Sequence, residues 1–208
     1  MIPGHTLIIP CPVCGHPGKK RTLISGNTFG ARLWSDGKQI APMLPEFPWL
    51  VKCKNCGKFF HAEEKLATRE LEWDDEDYQQ FKHIEDFDFP NFNEYFEALG
   101  FEEDEQYLRF MIFTSFNDYV RNKMEDQITE EMQMLHEDNL KSLLYLIEKS
   151  EDQDFNALMT RIEINRELGR FDKCFELLNS ITDEKHKDIK SKFMDEVVKK
   201  NRKVFRLY

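Results

Sequence analysis

The chain has 208 residues, 39 Asp and Glu against 29 Lys and Arg, and a net charge of −10. Leu, Ile, Val and Phe make up about 27% of it, above the ~20% below which chains stay unfolded, so a core is expected and disorder throughout is excluded. No apolar run approaches the ~18 residues of a membrane span, and MIPGHTLIIP lacks the basic n-region and long apolar h-region of a secretory signal, so a cytoplasmic protein without a membrane partner is expected.

Composition changes along the chain. Of 17 Pro and Gly residues, 14 fall in the first 57 positions. Residues 1–62 carry a net +6, residues 63–105 a net −14, and the remainder is nearly balanced at −2. The overall acidity therefore hides a basic, turn-rich head, an acidic middle and a balanced tail. Boundaries follow at 1–62, 63–104 and 105–208.

In chain order, the head reads as short strands at 21–25 (RTLIS), 31–34 and 49–53, with Asp36-Gly37 as a hairpin signal between ARLW and KQIA. Pro42, Pro45 and Pro48 force an extended loop ahead of the last strand. The middle, ELEWDDEDYQQFKHIEDFDFP, combines a charge run with Trp73, Tyr78, Phe81, Phe87 and Phe89 as anchors, and a mixture of short helix and docked loop is expected. The tail has helical periodicity. Residues 105–124 are apolar nearly all round, Leu140, Leu143, Leu144 and Ile147 recur at i, i+3, i+4, i+7, and further helices are expected over 154–168, 171–181 and 184–203. The fold class is α+β, a small antiparallel β module followed by an all-α region of helical hairpins.

The strongest chemical signal is Cys11-Pro-Val-Cys14-Gly with Cys53-Lys-Asn-Cys56-Gly. Two residues between cysteines let both thiolates reach one metal from a tight turn, and two such turns complete a tetrahedron. In a cytoplasmic protein this pattern points to one Zn²⁺ rather than to disulfides. With all four positions cysteine, no site is left for the water of a catalytic zinc, so the ion is expected to be structural. Redox iron is the competing occupant, and His16 and His61 are spare nitrogen ligands beside a sufficient sulfur set.

The two CxxCG motifs resemble the knuckles of a zinc ribbon, a family of small three-stranded modules that clamp one zinc. The resemblance implies Cys11, Cys14, Cys53 and Cys56 as ligands. The interval of 38 residues between Cys14 and Cys53 exceeds the usual ~15–20, and an inserted hairpin around Asp36-Gly37 accommodates it. A second resemblance lies in RELGRFDKCFELL, which is similar to the hinge of a tetratricopeptide repeat, with Gly169 at the helix end, Phe171 after it and the small Cys174 at the helix contact. One repeat is visible, and no second follows at a 34-residue period. In that family the helices carry protein partners, and the resemblance implies the same role here.

Nothing else supplies a catalytic set. There is no GxxxxGK[ST] or GxGxxG phosphate loop; His61-Ala-Glu63-Glu64 lacks the second histidine of HExxH; Asp74 to Asp77 lack EF-hand spacing; and Cys174 sits in an apolar helical pattern. Arg32, Trp34 and Lys38 on the expected hairpin form a candidate ligand-contact face, with coverage of a small core as the plainer role of Trp34. The leading expectation is a non-enzymatic zinc-binding adaptor or regulator with a protein partner. A nucleic-acid-binding regulator using the basic ribbon is the alternative, and an enzyme with an inter-domain site is the third reading.

Overall fold

The computed structural model describes residues 1–72, 76–101, 104–151 and 154–208. Trp73, Asp74 and Asp75, together with the side chains of Glu76 and Asp77, lie outside the description, and with them one expected anchor and the acidic cluster. The strands are β1 (Ile2–Pro10), β2 (Pro17–Ser25), β3 (Arg32–Leu33), β4 (Gln39–Ile40), β5 (Leu50–Lys52), β6 (Phe59–His61) and β7 (Arg69–Leu71). The α-helices are α1 (Phe92–Ala98), α2 (Glu105–Arg121), α3 (Glu130–Lys149), α4 (Phe155–Glu167), α5 (Phe171–Ser180) and α6 (Lys187–Val198). The layout is α+β, and among the described residues no helix is long and apolar enough to cross a membrane.

The chain divides into two compact units, Met1–Ala31 with Ile40–Phe101, and Arg32–Gln39 with Glu102–Tyr208. Composition drew the sequence boundaries elsewhere, because it registers neither strand pairing nor docking. Residues 63–101 share the first unit with the cysteine-bearing strands, while residues 32–39 belong with the helices.

In the first unit β1 is the central strand of the sheet β2-β1-β7, antiparallel to both neighbours. Its Leu7, Ile8 and Ile9 are all buried, because alternate side chains of a strand point to opposite faces and here both faces are covered. Leu7 and Ile9 pack with Val51, Phe60 and the buried Cys11 and Cys53; Ile8 packs with Leu71 and Ile84 on the other side. The acidic segment supplies that second cover. Tyr78 and Phe81 pack on the Ile8 cluster, and Phe87 lies edge-on to Phe60 at 5.7 Å. Phe87 also occupies the space a side chain at Gly18 would need, its ring atoms falling 2.1 Å from where that Cβ would stand. Phe89, expected as an anchor, is exposed.

The same segment adds backbone bonds to β2. Lys19 N–H donates to Glu85 C=O at 2.9 Å, and Phe87 N–H donates to Lys19 C=O at 2.8 Å. Around them Arg21 pairs with Asp86 at 2.5 Å, while Lys54 pairs with Glu85 at 2.7 Å and Asp88 at 2.9 Å. The acidic run is thus a short helix and a docked edge in which opposite charges meet, as expected from its aromatic residues.

In the second unit consecutive helices pack on one another, α2 on α3, α3 on α4, α4 on α5 and α5 on α6. Each long helix starts where a polar side chain satisfies an orphan amide: Asp104 caps Tyr107, Thr129 caps Met132 and Asp154 caps Ala157. The α4 to α5 hinge ends in a Schellman motif. Gly169 N–H donates to Arg166 C=O and Arg170 N–H to Asn165 C=O, with Gly169 at φ +76, a conformation open to glycine. Cys174 is fully buried beside this hinge, and its thiol donates to Ile162 C=O at 3.4 Å. Burial pushes that thiol up to about 12, which keeps it protonated and unreactive.

Candidate metal centre and polar core

Each CxxCG turn closes a strand pair with the same bonds. Cys11 N–H donates to His16 C=O and Gly15 N–H to Cys11 C=O, joining β1 to β2; Cys53 N–H donates to Lys58 C=O and Gly57 N–H to Cys53 C=O, joining β5 to β6. Gly15 and Gly57 have φ +73 and +70, the left-handed conformation that lets each turn reverse under its sulfurs. The four Sγ atoms lie within 4.8 Å of one another. Cys11 and Cys56 are 3.8 Å apart and Cys14 and Cys53 3.7 Å. A tetrahedral ion with ~2.3 Å sulfur bonds has edges of about 3.8 Å, whereas a disulfide needs ~2.05 Å. The donor set therefore fits a metal ion.

The electrostatics agree. The Asn55 amide and the His16 backbone hold the Cys14 thiol down to about 6. The Lys58 amide favours the Cys56 thiolate, yet desolvation and the three other sulfurs push that thiol up to about 12. Four thiols this close do not all ionise on their own, and a bound metal cation would supply the missing countercharge. The two spare histidines stand apart from the cluster: His16 is exposed and His61 stacks on Trp49 at 3.8 Å.

Arg32, Trp34 and Lys38 do not form one open face. Arg32 is exposed, Lys38 is paired with Asp118 of α2 at 2.6 Å, and the Arg121 guanidinium lies over the half-buried Trp34 ring at 5.7 Å. The Asp36-Gly37 hairpin forms as expected, with β3 paired to β4 and Gly37 at φ +85, and β3 is bonded as well to the far end of the chain. Leu207 N–H donates to Leu33 C=O at 2.8 Å, and Ser35 N–H donates to Phe205 C=O at 2.9 Å. A bond between residues 170 apart leaves no local trace. Trp34 lines a cavity of about 830 Å³ with Ser35, Tyr107, Phe110, Phe155 and Met159.

The turn drives Ser35 and Asp36 into a polar core that single-residue motifs do not reveal. Asp36 accepts from Arg121 Nη1 at 2.6 Å and from Asn117 Nδ2 at 3.2 Å, with the carboxylate 0% and the guanidinium 1% exposed. Ser35 Oγ donates to Glu163 Oε1 at 2.5 Å. Glu163 also takes two bonds from Arg166, at 2.6 and 2.7 Å, and Arg166 donates to the Asn201 carbonyl. Glu167 accepts from Asn117 at 2.9 Å and faces His136 Nε2 at 3.1 Å. Three buried carboxylates thus meet two guanidiniums. Burial pushes Glu163 and Glu167 up to about 7 against the pull of Arg166, and it pushes His136 down to about 3, so that ring is neutral. Helical spacing makes this set partly legible, since Glu163, Arg166 and Glu167 share a face at i, i+3, i+4; their burial is what the sequence conceals.

Comparison with known proteins finds no matching family model, no matching curated protein and no matching solved structure.

Proposed function

We propose that the protein is a non-enzymatic adaptor or regulator in which one structural Zn²⁺, held by Cys11, Cys14, Cys53 and Cys56 in a zinc-ribbon arrangement, fixes the first unit while the helical unit binds a protein partner. The observation that carries the reading is the four-sulfur cluster, two of whose edges have the length of a tetrahedral site and whose four cysteines suffice to fill a metal's coordination without a reacting water. The Schellman-capped α4–α5 pair, with Cys174 at its contact, supports a tetratricopeptide-like hairpin. Met134, Leu135 and Tyr145 on α3 are exposed and give the partner reading residues on which to be tested.

The basic head is a weaker polyanion surface than its +6 suggests. Arg21, Lys38, Lys52 and Lys54 are engaged by carboxylates, and Lys20 by the Ala62 carbonyl at 2.8 Å. A four-thiolate zinc centre lowers the charge by two more. This occupancy favours a protein over a nucleic acid as partner.

The test is metal analysis of the reduced full-length protein, followed by affinity capture under zinc-replete conditions. One zinc per chain and a specific protein, lost on Met134→Asp with Tyr145→Asp, are expected. Iron in place of zinc, or capture of nucleic acid alone, overturns the reading.

A further inference from the structure

The cavity of about 830 Å³ that Trp34 lines lies wholly within the second unit. Its walls come from β3 and the turn after it, the first turns of α2 and α4, the end of α3, and α6. The volume falls within the ~300–1,000 Å³ of small-molecule sites, which are lined mainly by apolar groups with a few polar ones that orient the guest. Trp34, Tyr107, Phe110 and Phe155 supply the apolar lining, and each of the four keeps part of its surface uncovered.

Charge decides which guest suits it. Among the described residues that line the cavity there is no Lys, Arg or His, and three are Asp. Asp36 is spent on Arg121 at 2.6 Å and adds no surplus. Asp104 and Asp154 are exposed; they cap α2 and α4, each accepting a backbone N–H on Oδ1, and Asp154 Oδ2 also accepts from Asn156 at 3.3 Å. A carboxylate has about four acceptor sites, so these bonds leave room for a further donor. A helix N-terminus carries about half a positive charge, whereas each cap brings a full negative one, and the two caps outweigh the two dipoles. An anion is therefore disfavoured at a place where two helix ends alone would invite it. Carboxylates of one sign lining an apolar cleft concentrate cations there, and aromatic rings attract them as well.

We propose that this cavity binds a small amphipathic amine, whose ammonium is drawn by the carboxylates of Asp104 and Asp154 while its aromatic or aliphatic body packs on Trp34, Tyr107, Phe110 and Phe155. The site is distinct from Met134, Leu135 and Tyr145 of α3, which do not line it. Its occupancy is thus independent of the protein partner proposed above.

The experiment titrates the reduced, zinc-replete full chain by calorimetry at neutral pH with three probes that share one ring system: tryptamine, a cation; tryptophol, neutral; and indole-3-acetate, an anion. Tryptamine should bind about tenfold tighter than tryptophol, the scale of two part-exposed ion pairs, and indole-3-acetate should bind weakest. The advantage of tryptamine should shrink at ~0.5 M salt. Asn caps a helix as well as Asp does, so Asp104→Asn with Asp154→Asn keeps both caps, removes both charges and should bring tryptamine down to the affinity of tryptophol. Phe155→Ala should weaken tryptamine and tryptophol alike, because it removes wall and not charge. Equal affinity for tryptamine and tryptophol, a preference for indole-3-acetate, a tryptamine preference that survives in the double Asn variant, no effect of Phe155→Ala, or no saturation by tryptamine at millimolar concentration each overturns the proposal. If the double variant does not fold, the order of the probes and its salt dependence in the unsubstituted protein still decide.

Discussion

The two units solve one problem in opposite ways: each gathers polar groups from distant parts of the chain into its interior. In the first, four sulfurs from two turns converge without a countercharge of their own, a set that could hold a metal ion from outside. In the second, Asp36, Glu163 and Glu167 arrive with Arg121 and Arg166, and the helical unit carries its own countercharges. The difference teaches where each unit is vulnerable. A metal-dependent core fails as a whole when one ligand goes, whereas an internal ion network fails by the cost of the group left unpaired.

The sharpest break is therefore Cys53→Ser. On the metal site proposed above, it should remove the bound ion and unfold the first unit, a loss on the order of 10 kcal/mol of apparent folding energy, while the α-helical signal persists; metal content and circular dichroism measured together check it. Next is Arg121→Met, which leaves Asp36 buried and unpaired and should cost the helical unit about 3–5 kcal/mol in chemical denaturation, with zinc content unchanged.

The third test is pH. Glu163 and Glu167 are raised to about 7, so between ~4.5 and ~7 the folded state holds protons the unfolded chain has lost, and stability falls as pH rises through that window. His136, lowered to about 3, acts in the opposite sense from about 3 to 6.5, and one histidine offsets one carboxyl. A net decline of up to ~1.4 kcal/mol per pH unit is expected for the helical unit, and Glu163→Gln should flatten it. The first unit, on the metal site proposed above, should behave oppositely and lose its ion on acidification, because its cysteine ligands bind as thiolates. Smallest is Gly169→Ala. The nearest atom to the new Cβ is Arg202 Cδ at 3.6 Å, an ordinary contact, so the cost is the left-handed backbone alone, about 1–2 kcal/mol in thermal unfolding.

Much of this was legible from residue order. The CxxCG pairs named the cluster because the geometry of a two-residue turn is local, and the helices over 105–121 and 155–180 followed from period and caps. What escaped was long-range. MIPGHTLIIP offered no alternation, since its Leu7, Ile8 and Ile9 are consecutive apolar residues buried on both faces, and it became β1. The acidic segment was expected to mix short helix with docked loop, but where it docks stayed hidden because its cations, Arg21 and Lys54, lie far away in sequence.

By itself, then, the sequence determined the α+β class, the four sulfurs and the helical hairpins, all set by turn chemistry and periodicity within a few residues. Only the tertiary structure decided that the Asp36 hairpin belongs to the helices, that residues 84–88 dock on β2, and that His136 sits neutral over Glu167. Those outcomes rest on desolvation and on pairings up to 170 residues apart, which no local pattern encodes.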